Sequence, residues 1–202
     1  MIEPTIFIVD DDNEVRDALA LLMESVGLAV KAYESGQDFL DQFDPSLPGC
    51  VITDVRMPGM SGLELQKKLN IQKIHPPVVI ITGHGDITMA VNAMQEGALD
   101  FIEKPFNDQR LLDCVHRAVE VDASQRGQAT QLAEIKTRME SLTKRERQVM
   151  ELITQGKRNK NIADELCVSQ STVEAHRSKV MDKMHAKTLS DLMRMVLSSE
   201  LY

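Results

Sequence analysis

The stretch TIFIVDDDNEVRDALALLMESVGLAVKA, residues 5–32, decides the fold. It opens on an apolar, β-branched run (Thr5–Val9), passes three aspartates and then changes period. Val15, Leu19, Leu22, Met23 and Val26 recur at helical spacing, which predicts a helix over Asn13–Val26. A second apolar run, Leu28–Ala32, follows. Strand, helix and strand in this order form the repeating unit of a parallel sheet.

The alternation continues along the first half. Strands are expected at Cys50–Thr53, Val78–Thr82 and Leu99–Ile102, with helices near Gln37–Phe43, Gly62–Asn70, Thr88–Gln95 and Asp108–Val121. The runs CVIT and VVIIT are apolar throughout, as strands covered on both faces are. The fold class is therefore α/β, a doubly wound five-stranded parallel sheet. Past residue 122 the character changes. Residues 123–140 (ASQRGQATQLAEIKTRME) are polar with good helix formers, and are expected to be a partly helical linker. After Ser141 no strand candidate remains. Helices are expected near Lys144–Gln155, Asn159–Leu166, Gln170–Met184 and Leu189–Ser198. Thr143 and Glu146 have capping-box spacing, and Gly156 suits a helix stop. The boundaries are thus 1–122, 123–140 and 141–202, the last an all-α four-helix domain.

Composition agrees with two modules. The net charge of −8 is unevenly spread: residues 1–122 carry 9 Lys and Arg against 21 Asp and Glu, residues 123–202 carry 14 against 10. The basic half is the candidate for a polyanion. No apolar run reaches the roughly 20 residues of a membrane span, which excludes a helical membrane protein. The first residues show neither a positive region nor a cleavage pattern, so a cytoplasmic location is expected. Three cysteines (Cys50, Cys114, Cys167) without CxxC spacing suit reduced thiols, not a disulfide framework or a zinc site.

In an open parallel sheet, sites form beyond the C-terminal ends of the strands. Here those ends carry Asp10, Asp11 and Asp12 after the first strand, Asp54 after the third, Thr82 at the fourth and Lys104 in the loop after the fifth. Converging carboxylates repel and need a cation; hard oxygen ligands suit Mg²⁺, or Mn²⁺ in its place. A carboxylate beside such an ion can attack a phosphoryl group. Lys104 and Thr82 can then hold the product oxygens by charge and hydrogen bond. Taken singly, each residue has an ordinary reading: the three aspartates as a helix N-cap, Thr82 as structural, Lys104–Pro105 as a turn. His84 and Asp86 fall in the loop after the fourth strand. They are assigned a loop role, since no third ligand completes a metal set.

Residues 3–121 resemble the two-component receiver domain, flavodoxin-like in fold, through IFIVDDD, CVITDVRMPGMSG, VVIITGHGD and DFIEKPF in order. The resemblance implies Asp54 as phosphoacceptor, with Thr82 and Lys104 sensing the phosphoryl group. It implies a metal held by Asp11, Asp54 and the main-chain carbonyl of Arg56, with Asp10 nearby. It also implies Phe101 as the aromatic of the switch and a cis Lys104–Pro105 bond.

In the second half, Ile162, Ala163 and Leu166 give one helix an apolar face. Val173, Val180 and Met184 form a buried stripe on the next, for which Ser169 is the N-cap. That helix presents Ser171, Glu174, Ala175 and Ser178 on its other face, flanked by Thr172, Arg177 and Lys179. Such a helix can enter a major groove. Residues 138–200 resemble the helix-turn-helix domain of the LuxR/NarL class, through Leu142, Thr143, Arg145, Glu146, Gly156, Asn159, Lys160, Ile162, Ala163, Leu166, Ser169, Thr172, Val173 and His176. The resemblance implies base contacts by Glu174, Ala175 and Ser178, and phosphate contacts by Lys160, Thr172, Arg177 and Lys179. Glu174 either accepts from a cytosine amino group or pairs with Arg177 or Lys179. His176 lies on the Val173/Val180 side and is expected to be packed there, with a DNA contact as the alternative.

The whole chain is thus similar to FixJ-type response regulators. The resemblance implies a sensor histidine kinase, promoter DNA and RNA polymerase as partners, and a homodimer on phosphorylation. A Mg²⁺-dependent phosphatase with an aspartyl nucleophile is the enzymatic alternative. It wants a second Asp two residues after the first, where this chain has Arg56. The chain is therefore read as a regulator that assists its own phosphorylation and dephosphorylation. A degenerate receiver is the other alternative, and the intact set Asp11, Asp54, Thr82 and Lys104 speaks against it.

Overall fold

The computed structural model describes residues 3–71, 76–83 and 87–200, with the backbone alone at residues 199 and 200. His84 and Asp86 lie outside the described residues. The chain divides into two compact units, residues 1–126 and 127–202.

In the first unit, β1 (Thr5–Val9), β2 (Ala29–Tyr33), β3 (Gly49–Asp54), β4 (Val78–Thr82) and β5 (Asp100–Glu103) alternate with α1 (Asn13–Ser25), α2 (Gly36–Gln42), α3 (Gly62–Ile71) and α4 (Ile87–Gln95), and are followed by α5 (Asp108–Glu140), whose residues from 127 on belong to the second unit. The five strands are parallel, in the order β2-β1-β3-β4-β5. Because strand side chains alternate between faces, the sheet feeds two cores. Ile6, Ile8, Cys50, Ile52, Val79, Ile81 and Ile102 meet Leu19, Met23, Leu111 and Val115 on one side. Phe7, Val9, Val51 and Ile80 meet Phe39, Leu65 and Leu69 on the other. β1, β3 and β4 are buried at every residue, as the apolar runs within them predict.

Both helix starts and strand ends follow from local chemistry. Asp12 caps α1, its carboxylate accepting from the Glu14 and Val15 amides, and Ser35 caps α2. Gly49 has φ of +145°, and a Cβ there would stand 1.8 Å from the Thr5 carbonyl oxygen, so only glycine admits this approach of β3 to β1.

One element differs from its sequence expectation. The last receiver helix does not stop near Val121; α5 runs for 33 residues, through the whole stretch expected to be a partly helical linker. Composition permits this, since the stretch has no proline and only Gly127 as a weak helix former. Two side chains anchor it. Asp122, buried, accepts the Gly49 amide at 2.9 Å and pairs with Arg126 one turn on at 2.8 Å. Arg126 reaches the carbonyls of Pro45, Ser46 and Leu47. The α2–β3 loop is thereby tied to α5 beyond the expected helix end.

The second unit holds α6 (Lys144–Thr154), α7 (Asn159–Leu166), α8 (Gln170–Met184) and α9 (Leu189–Glu200). Their apolar faces, with Ile135 from α5, close around Val149, Ile153, Ile162, Val173, Val180, Met184 and Leu192. The capping box of Thr143 and Glu146 is formed in both directions, and Gly156, at φ +79°, follows α6. No described helix is long and apolar enough to cross a membrane.

Candidate functional site

The strand register assembles the first site. Val9 pairs with Thr53, so Asp10 and Asp54 leave β1 and β3 side by side. Asp54 pairs with Ile81, which sets Thr82 one step further along β4. Thr82 in turn pairs with Glu103, and the Lys104 amide donates to the Thr82 carbonyl at 2.7 Å. Four strands thus deliver residues at or just past their C-terminal ends to one place.

There the Lys104 ammonium bridges two carboxylates, 3.1 Å from Asp10 Oδ2 and 3.1 Å from Asp54 Oδ1. The other oxygens are also engaged. Asp54 Oδ2 accepts the Arg56 amide at 2.6 Å and Asp10 Oδ1 the Asp12 amide at 2.9 Å. Arg16, from α1, donates to the Asp10 carbonyl at 2.6 Å; nothing in its spacing announced that role. Burial pushes the Asp10 carboxyl above its ordinary pKa, against the Asp12 amide and Lys104, which act the other way. Burial works against the charge on Lys104 too, but hydrogen bonds and charge from Asp54 and Asp10 outweigh it and raise its pKa. Lys104 is therefore a fixed cation in a nearly dry carboxylate pair.

Thr82 is buried, and Phe101 is half-buried against the core shared with α4. The Lys104–Pro105 bond is cis, as the resemblance implied. The loop after Asp54 is held close: a Cβ on Gly62 would stand 2.2 Å from the Asp54 carbonyl oxygen. Asp11 and Arg56 are exposed at the rim. Among the described residues no group of three or more His, Cys, Asp and Glu side chains is disposed to hold a metal by itself. The donor set still suits Mg²⁺, which takes a few carboxylates and completes its shell with carbonyl, water and phosphate oxygens.

The second candidate site lies on α8. Ser169 caps it, accepting the Thr172 amide, and its hydroxyl also meets that of Thr172 at 2.8 Å. Glu174, Ala175, Ser178 and Lys179 are exposed, as is Lys160 on α7; Thr172 and Arg177 are half-buried. Arg177 is steadied by Asn159, whose Oδ1 accepts from it at 3.3 Å, a positioning contact the sequence reading missed. No ion pair joins Glu174 to Arg177 or Lys179 among the described residues. His176 is half-buried, with Nδ1 inside and unbonded. At the far end of α8, Lys183 donates to Glu146 Oε2 at 2.7 Å. Lys183 and the Thr143 amide together pull the Glu146 pKa down to about 2.

Two of the three thiols stand apart from both sites. Cys50 and Cys114 are buried, and burial pushes them up to about 12 and about 11. They are inert core residues.

Both halves of the chain match known protein families. Residues 6–116 match the family described as response regulator receiver domain, and residues 140–196 match bacterial regulatory proteins of the luxR family. The transcriptional regulatory protein FixJ of Azorhizobium caulinodans is 47% identical over 192 residues, 95% of this chain and 91% of that protein. FixJ of Rhizobium meliloti is 45% identical over 98% of this chain and 97% of its own length. Among solved structures, the response regulator StyR superposes with a TM-score of 0.87 at 40% identity, covering 99% of this chain and all of the other. Full-length FixJ from B. japonicum gives 0.59 at 42%, with both chains fully covered.

Proposed function

The chain belongs to the two-component response regulators that join a receiver domain to a luxR-family DNA-binding domain, and we propose that Asp54 is the residue on which its phosphorylation falls. Its function is phosphorylation-dependent regulation of transcription, fed by a histidine kinase and acting on DNA. The observation that carries the assignment of Asp54 is the Lys104 ammonium bridging Asp54 and Asp10 from the ends of separate strands.

Asp54 Oδ1 attacks the phosphorus of a phosphohistidine on the kinase. The acyl-phosphate P–O bond forms as the P–N bond breaks, and the electron pair leaves with the imidazole nitrogen. Asp11, Asp54 and the Arg56 carbonyl, with Asp10 beside them, would hold Mg²⁺ or Mn²⁺. When bound, that ion supplies the charge that neutralises the transferring group. Lys104 exchanges its bond to Asp54 for one to a phosphoryl oxygen, and the Thr82 hydroxyl donates to another. Phe101 turns inward as Thr82 moves, and the surface of α4 and β5 is rebuilt. Two copies then associate and bring two α8 helices to a two-fold promoter site. The same residues later assist loss of the phosphoryl group to water.

On DNA, Glu174, Ala175 and Ser178 face bases, while Lys160, Thr172, Arg177 and Lys179 hold phosphates. The exposure of these side chains, Thr172 and Arg177 partly, supports the reading. The freedom of Glu174 from Arg177 and Lys179 favours acceptance from a cytosine amino group. The protein works in the cytoplasm, with RNA polymerase as the further partner at the promoter.

Intact-mass measurement with acetyl phosphate and Mg²⁺ tests the assignment. One phosphoryl group is expected on the parent and none on Asp54→Asn. Equal uptake by both proteins would overturn it.

A further inference from the structure

α3 holds the end of α4 with two side-chain amides. Gln66, only 1% exposed, donates from Nε2 to the carbonyls of Ala93 at 3.4 Å and Glu96 at 2.9 Å. Asn70, one turn on, donates from Nδ2 to the same Glu96 carbonyl at 2.7 Å. The orientation of the Gln66 amide is set by chemistry, since turning it over would aim its oxygen at two carbonyls. Lys67 also lies 3.3 Å from the Glu96 carboxylate, but that pair is exposed and weak.

Packing alone does not explain Gln66. Its neighbours on α3, Leu65 and Leu69, are core residues, and its Oε1 is buried without a hydrogen-bond partner. A buried acceptor left unsatisfied is a cost that an apolar side chain of the same size would not carry. What the amide supplies is its grip on α4.

That grip matters because α4 is otherwise loosely held. Ala93 is its one fully buried residue. Ile87, Val91 and Met94 stand 83%, 47% and 48% exposed. Beyond the helix, Gly97 takes a left-handed turn, and the Gly97 and Ala98 amides return to Met94 and Ala93. The Glu96 carbonyl is left to the α3 amides.

We propose that Gln66 and Asn70 are positioning residues of the switch: a clamp that keeps the C-terminal end of α4 where it lies while Asp54 is paired with Lys104. The clamp rests on the reading of Asp54 given above. Rebuilding the α4 surface requires these hydrogen bonds to loosen, so the clamp biases the receiver toward its unassociated form. Neither side chain touches Asp54, so their loss leaves the phosphoacceptor itself intact.

The test is sedimentation of the full-length protein with and without acetyl phosphate and Mg²⁺, for the parent, Gln66→Met and Asn70→Ala. Intact mass follows phosphoryl uptake in the same samples. Gln66→Met keeps the volume; Asn70 is exposed, so its replacement does not endanger folding. Without the donor, the association constant of each variant is expected to rise roughly threefold to tenfold over the parent, the worth of a hydrogen bond or two. With the donor the three proteins converge. A purely structural role would lower thermal stability and leave the donor-free constant unchanged. If the parent responds to the donor and the variants match it throughout, the clamp is refuted and Asp54 stands. A parent that neither takes up the phosphoryl group nor associates overturns the reading of Asp54 and the clamp with it.

Discussion

Replacing Glu146 by glutamine isolates one charge in the DNA-binding unit. Glutamine keeps the capping-box bond to the Thr143 amide, because its side-chain carbonyl can still accept it. What it loses is the pairing with Lys183 across 37 residues of sequence. The Glu146 side chain is 5% exposed and its pKa is drawn from 4.5 to about 2. At about 1.4 kcal/mol per pKa unit this would be worth at most ~3 kcal/mol. The Lys183 side chain, 36% exposed, keeps part of its hydration and is screened by solvent, so ~1–2 kcal/mol is the better expectation. The sign follows from the lowered pKa. The contribution is fully present above the unfolded value near 4.5 and is lost as pH falls toward 2. Glu146→Gln should therefore be less stable than the parent by ~1–2 kcal/mol at pH 7, with the gap closing below pH 4.5. Because the chain has two units, the gap should be read from hydrogen exchange of α6 and α8 amides and not from a global melting curve. A gap that stays constant from pH 7 to pH 3 would refute the ion pair as its source.

Three further outcomes follow from the geometry. Arg126→Ala leaves the Asp122 carboxylate buried with the Gly49 amide alone; a loss of ~3 kcal/mol from the receiver unit is expected in urea titration, with fraying of α5 beyond residue 122 seen in amide exchange. Gly49→Ala drives a methyl into the Thr5 carbonyl and should cost at least ~3 kcal/mol; soluble protein with parent-like stability would contradict the close approach of β3 to β1. Lys179→Ala should weaken binding about equally on all DNA sequences and reduce the slope of log affinity against log salt by ~1, whereas Ser178→Ala should change sequence preference and leave that slope alone.

The periodicity of residues 5–32 was enough to place β1, α1 and β2 within a residue or so, and α7 and α8 emerged at their expected ends. Local signals served well where the physics is local: the Thr143–Glu146 box, Ser169, Gly156. Asp10, Asp54, Thr82 and Lys104 were legible because a parallel sheet gathers strand ends whatever their separation in sequence. Long-range polar contacts were not legible. Arg126 sits in a stretch whose composition reads as linker and Asp122 at its edge, and only the folded positions of Pro45–Leu47 and Gly49 make them an anchor. Gln66 looks like an ordinary polar residue beside a leucine stripe, and its partners lie on another helix. The Lys183 contact to Glu146 is equally silent, since a capping box explains the glutamate without it. Each miss includes a contact between groups far apart in sequence, which periodicity cannot connect.

The uneven fate of the three thiols gives an experimental handle. Two are locked in a dry interior with their protons held fast, while Cys167 is exposed at the left-handed turn just before α8. Maleimide chemistry on the native protein should therefore mark a single position. A fluorophore placed there would sit at the entrance of the helix that meets the groove, and would report promoter engagement without any engineered mutation.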